Sequence, residues 1–251
     1  MMFVRILASS AMFSLALSGC GMVDDHSLDA AKVLSVETRI VDDLNVTLKE
    51  VETSAAVRAS LAADFASGES VKVGTLVKPE NDDLGVIDAT LDEIINIGKK
   101  VWAVVVAGKP VMNVKFDFAT AMPKGITAAS ELHGFSDLQF KSFEYAGTNT
   151  YGFEVFKVQY TVVYQYAGAL GGKGAYIASA SIVPQNVSVL WGYSLGMNVD
   201  NVSVSNLGTS ESPVAGMNLM ANIKVSTVLK AVEINELFAI RGDTGMLTRV
   251  H

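Results

Sequence analysis

The chain has 251 residues, half of them hydrophobic and only 18% charged, with a mean hydropathy of +0.35. That composition excludes disorder as the main state, and a single cysteine excludes an internal disulfide framework. Asp plus Glu (26) exceed Lys plus Arg (19), so the net charge of −7 argues against a nucleic-acid partner.

The opening residues carry the most specific signal. Arg5 is followed by an apolar run from Ile6 to Leu17, then by Ser18, Gly19 and Cys20. The run has the length of a signal-peptide core and is too short to span a bilayer as a helix. The tetrapeptide Leu17-Ser18-Gly19-Cys20 resembles the lipobox of bacterial lipoproteins. That resemblance implies a signal peptide over 1–19, cleavage before Cys20, and lipid attachment at Cys20. It also implies a membrane contact through the N-terminal anchor. Gly21 stands where an Asp favours the inner membrane in that class, so the outer membrane is expected. Residues 20–30, with Asp24, Asp25 and Asp29, read as an acidic tether.

Residues 31–251 read as one globular domain, with a helix-containing region over 31–107 and an antiparallel β region over 111–249. Residues 30–67 begin ambiguously. Val33, Val36, Ile40 and Leu44 fall at helical spacing, while Thr, Val and Asn around residues 45–47 favour strand or loop. The alanine-rich segment Ala55 to Phe65 predicts a helix stopped by Gly68. Val71 to Val77 predicts a short strand. Ile87, Leu91, Ile94, Ile95, Gly98, Trp102 and Val105 step by threes and fours, which predicts an amphipathic helix over about 84–107, capped by Asp82 or Asp83.

From residue 111 onward the period is two. Met112 to Phe118, Phe156 to Tyr166, Ala175 to Val183, Val187 to Met197, Met217 to Leu229 and Val232 to Ile240 predict strands. Gly168 to Gly174 predicts a hairpin turn, and Pro184 a bend or edge position. The expected fold is mainly β (α+β): an antiparallel sandwich or curled sheet with the 84–107 helix packed on it.

Candidate chemistry is sparse. The glycines of 168–174 miss the phosphate-loop spacing, since Ala167 and Gly174 stand where Gly and Ser or Thr are needed. The acidic run from Glu80 to Asp83, with Asp88, Asp92 and Glu93, fits a helix cap better than a calcium loop. His26, His133 and His251 are too scattered for a zinc site. Arg241-Gly242-Asp243 matches a short adhesion tripeptide, yet is ordinary turn chemistry. Trp102, Tyr160, Tyr164 and Trp191 are the candidate ligand-binding residues, as aromatic linings for an apolar ligand. No catalytic constellation, metal set or cofactor motif is found. The expectation is a non-catalytic binding or structural module of the cell envelope, with a protein partner there. The alternative is a carrier of lipid or another apolar ligand in a helix–sheet cavity.

Overall fold

The computed structural model describes residues 31–67, 90–96, 103–107, 118–126 and 128–250, with backbone only over 103–107. The leader, Cys20 and the tether lie outside the described residues. So do the strand expected at 71–77, the Asp82/Asp83 cap, Trp102, and residues 112–117 of the next expected strand. Ala31–His251 forms one compact unit.

The described chain is mainly β, in two antiparallel sheets. The first ambiguous segment resolves into β1 (Val33–Val41) and β2 (Leu44–Val51), joined by a two-residue turn in which Asp42 takes φ +59°. The helix α1 follows over Ala55–Ser67, capped by Ser54, whose hydroxyl accepts from the Val57 amide at 3.3 Å. Then come β3 (Thr90–Ile95), β4 (Ala103–Ala107), β5 (Ala119–Lys124) and a single 3-10 turn at Ala129–Glu131. The remaining strands are β6 (Gln139–Thr148), β7 (Glu154–Gln165), β8 (Gly168–Leu170), β9 (Lys173–Val189), β10 (Ser194–Asn206), β11 (Ala215–Ser226), β12 (Ala231–Arg241) and β13 (Leu247–Val250). The larger sheet has the order β1-β2-β6-β7-β9-β5-β3, with β8 also on β9. The smaller has the order β13-β12-β11-β10-β4.

Two expectations are corrected. The 84–107 stripe is not a helix where it is described. Residues 90–95 and 103–107 are strands, and they sit in different sheets, on β5 and β10 respectively. Short apolar runs satisfy both periods, and the valine-rich run 104–106 favours a strand. The cavity pictured between that helix and a sheet therefore loses its helical wall. Second, the strand expected over Val187 to Met197 is split by a reversal. The Tyr193 amide donates to the Leu190 carbonyl at 3.0 Å, with Gly192 at φ +89°. The alternation hides the turn because it continues on the far side.

Other expectations hold. The alanine-rich segment is α1, and its Leu61 is buried in the core. The 168–174 segment is a hairpin, with Gly171 and Gly172 both at positive φ. Pro184 lies beside a bulge, where the register against β7 slips between Gln159 and Tyr160.

The core lies between the sheets. Leu44, Val46 and Leu48, then Phe143, Tyr145, Phe156, Val158, Tyr160 and Val162, are buried on the larger sheet. Val232, Ile234, Phe238 and Ile240 alternate inward on β12, and Leu195, Met197, Leu219 and Ile223 on its neighbours. An aromatic trio joins the two layers: Phe143 lies 5.6 Å from Tyr160 and 5.2 Å from Phe238, between ring centroids. The outer face of the larger sheet is polar. Lys49, Glu144, Gln159 and Asn186 hydrogen-bond across four strands at 2.8–3.0 Å.

At one end the two sheets are stitched together by backbone bonds. The Ala167 amide donates to Gly242 O and the Ala175 amide to Pro213 O, both at 3.0 Å, while the Gly242 amide donates to Ala215 O at 2.7 Å within the smaller sheet. A Cβ on Gly242 would run into the Ala175 carbonyl, so this close approach requires glycine.

Candidate functional site

Two features stand out from the packed scaffold. The first is a charge cluster inside the sandwich. Glu236 follows the inward alternation of β12 and is buried to 2% exposure. Its carboxylate accepts from Arg39, which reaches over from β1, and from the Tyr145 hydroxyl at 3.3 Å. Arg39 also donates to the Tyr145 oxygen at 2.8 Å. Arg249 of β13 pairs with Glu37 and stands 3.8 Å from Glu236. Two carboxylates thus face two guanidiniums, and the charges balance. The cluster ties the outermost strand of one sheet to the outermost strand of the other.

Burial pushes the Tyr145 phenol up, and Glu236 adds to this against the pull of Arg39. Tyr160 is raised by burial first, then by Glu236 and Tyr145. Burial works against the Arg39 charge, but Tyr145 and Glu236 outweigh it and the guanidinium is held more firmly protonated. Two small recesses adjoin the cluster. One, of about 10 Å³, is lined by Glu37, Arg39, Tyr145, Glu236 and Arg249 together with Val46 and Leu48. The other, of about 210 Å³, is lined by Ser35, Glu50, Lys141, Phe143, Leu247 and Arg249. Both are bordered by charged groups. Among the described residues no group of three His, Cys, Asp or Glu side chains could hold a metal.

Of the aromatic residues singled out from sequence, the three described, Tyr160, Tyr164 and Trp191, do not share one pocket. Tyr160 is fully buried against Phe143 and Phe238. Tyr164 is buried too, and its hydroxyl donates to Gly245 O at 2.7 Å. Trp191 projects from the β9–β10 turn at 93% exposure. Trp102 lies outside the described residues, as does Cys20. His133 is held by backbone bonds to Ala169 in a loop. Arg241 and Asp243 grip each other in a forked pair at 2.8 and 3.0 Å, so the tripeptide's charges are turned inward on themselves.

The second feature is the end of the sandwich opposite the backbone stitches. Four turns meet there, and the pairing proves their adjacency. Asn45 pairs with Thr148, which puts the β1–β2 turn beside the β6–β7 turn. The Leu190 amide donates to Val155 O at 2.9 Å, which adds the β9–β10 turn. Ser194 pairs with Ser226, which adds the β11–β12 turn. Lys230 closes the ring, with Nζ 2.8 Å from Asp42 and 2.9 Å from Asp43.

This ring carries Ile40, Tyr151, Phe153, Trp191, Val228 and Leu229. Among the described residues they are the six most exposed large apolar side chains, from 63% at Phe153 to 99% at Val228. A scatter of single apolar residues is ordinary on a protein surface, but the concentration of the most exposed ones at one end is not. The turns that present them are internally bonded. Asn149 Oδ1 accepts from the amides of Tyr151 and Phe153, both at 3.0 Å. Thr227 Oγ1 accepts from the amides of Leu229 and Lys230, at 3.3 and 3.1 Å. The side chains are therefore held outward by polar turn chemistry rather than left to collapse onto the core.

Sequence reasoning missed both features. Glu236 was legible as a charge in an inward register between Ile234 and Phe238. The ring was not, because its apolar members come from three distant turns and the end of β1. No protein family, curated protein or solved structure compared with this chain matches it.

Proposed function

We propose that the protein is a lipid-anchored, non-catalytic binding module of the bacterial cell envelope, attached through Cys20 to the outer membrane. The observation that supports the binding role is the ring of four turns, with the most exposed apolar side chains on a braced scaffold. Function in such a fold resides in turns positioned by a rigid sandwich. The internally balanced Glu236 cluster supports a structural role for the charged interior. The leader and its Leu17-Ser18-Gly19-Cys20 motif support the anchor.

Two measurements on the full chain test this reading. The mass of the N-terminal peptide from membrane-extracted protein should show acylated Cys20, and a Cys20→Ala chain should carry no acyl mass. An unmodified Cys20 rejects the anchor. Hydrogen exchange should be slower at residues 149–153 and 227–230 in the native envelope than in the detergent-extracted chain. Equal exchange rejects a binding role for that end.

A further inference from the structure

We infer that the ring end docks on a lipid bilayer, with Trp191, Val228, Leu229, Tyr151 and Phe153 entering the interfacial layer. The shape of the surface argues for this occupant. The apolar groups are separate projections on three turns, with Ile40 at the end of β1, not the walls of a groove. A protein partner would need a matching pocket for each, whereas lipid conforms to isolated projections. The residue types also fit. Trp and Tyr settle at the bilayer–water interface, and aliphatic side chains enter the acyl boundary. Behind the tips lies polar turn backbone, where the carboxylates of Asp42 and Asp43 outnumber the Lys230 ammonium that they share, which keeps insertion shallow.

The chain preceding the domain allows the contact. β1 begins at the far end, with Val33 beside Val51, and runs nine residues to the ring, about 30 Å. From Cys20 to Ala30 the chain has eleven residues, which reach at most about 40 Å. An anchor at Cys20 thus leaves enough chain for the ring end to meet the same bilayer. The inference rests on the anchored reading for this reach alone, and its test omits the anchor.

The test uses a chain of residues 21–251, which retains the whole compact unit and carries no lipid. The probe is vesicles of phosphatidylethanolamine and phosphatidylglycerol. The chain should co-sediment with them. Replacing Trp191, Val228 and Leu229 together by serine should lower the partition coefficient about 100-fold. Circular dichroism should be unchanged, because all three side chains point into solvent. Tyr151→Ser with Phe153→Ser, on a different turn, should weaken binding in the same direction. A chain that ignores vesicles, or a triple variant that binds them as well as the parent, overturns the inference. So does a dimer in sedimentation velocity that the triple variant loses while the parent ignores vesicles, since the ring would then seat a second copy. None of these outcomes depends on whether Cys20 is acylated.

Discussion

Glu236 and Arg39 come from opposite sheets, 197 positions apart in the chain, and meet inside the sandwich. Glu236 stands on β12 directly opposite Ala221, between the inward positions of Ile234 and Phe238. A carboxylate there is tolerable only because Arg39, Tyr145 and Arg249 surround it. Desolvating a charge costs several kcal/mol unless partners compensate.

Removing one member of the cluster should therefore hurt more than removing two. Arg39→Leu leaves Glu236 short of its main cation and should cost about 2–3 kcal/mol, less than a fully buried pair because Arg39 is one-third exposed. The double change Arg39→Leu with Glu236→Leu should recover much of this. Urea denaturation of the three chains checks it, and a double variant as unstable as the single one would contradict it.

The two neighbouring phenols should respond differently to the same deletion. Tyr145→Phe loses bonds to Arg39 and Glu236 and should cost about 1–2 kcal/mol. The Tyr160 hydroxyl is buried and finds no hydrogen-bond partner among the described residues. Tyr160→Phe should therefore be neutral or stabilising by up to about 1 kcal/mol. Thermal denaturation separates the two.

Alkali should unfold the protein through these same phenols. Burial raises Tyr164 to about 12, and Tyr145 and Tyr160 are raised as well. A folded-state value above the unfolded one means that the contribution is complete below pH 10. It is lost as pH rises from 10 toward the folded values, because the unfolded chain ionises first. Stability should fall above pH 10, and less steeply in Tyr164→Phe. Denaturant midpoints across that range provide the measurement. A flat profile would mean that these hydroxyls are not buried in solution.

The stitched end should tolerate no added carbon at residue 242. Gly242→Ala forces a methyl against the Ala175 carbonyl and should cost about 1–3 kcal/mol. Gly152→Ala makes a useful contrast. It meets nothing nearby and suffers only from its φ of +83°. Calorimetry should show the larger loss at Gly242.

Much of the sheet architecture was legible because β12 alternates over its eleven residues, and β7 and β11 do so over most of their length. The failures share one cause: local periodicity carries no information about where a strand turns or which sheet it joins. The stripe at 87–105 fitted a helix equally well until pairing drew its two parts to β5 and β10. Leu229 looked like the last inward residue of β11, yet it stands in solvent beyond the strand's end at Ser226. Tyr160 and Tyr164 share a strand face with Val162, so alternation told that they point inward, not that the interior beside them is filled.

β9 runs seventeen residues, from Lys173 near the stitched end to Val189 just below Trp191. A pull on the exposed tip is thus transmitted lengthwise, along the whole ladder that β9 shares with β7. Lengthwise loading strains many hydrogen bonds at once, whereas peeling would open them singly. Tension applied between the two ends would therefore load the β7–β9 ladder in shear.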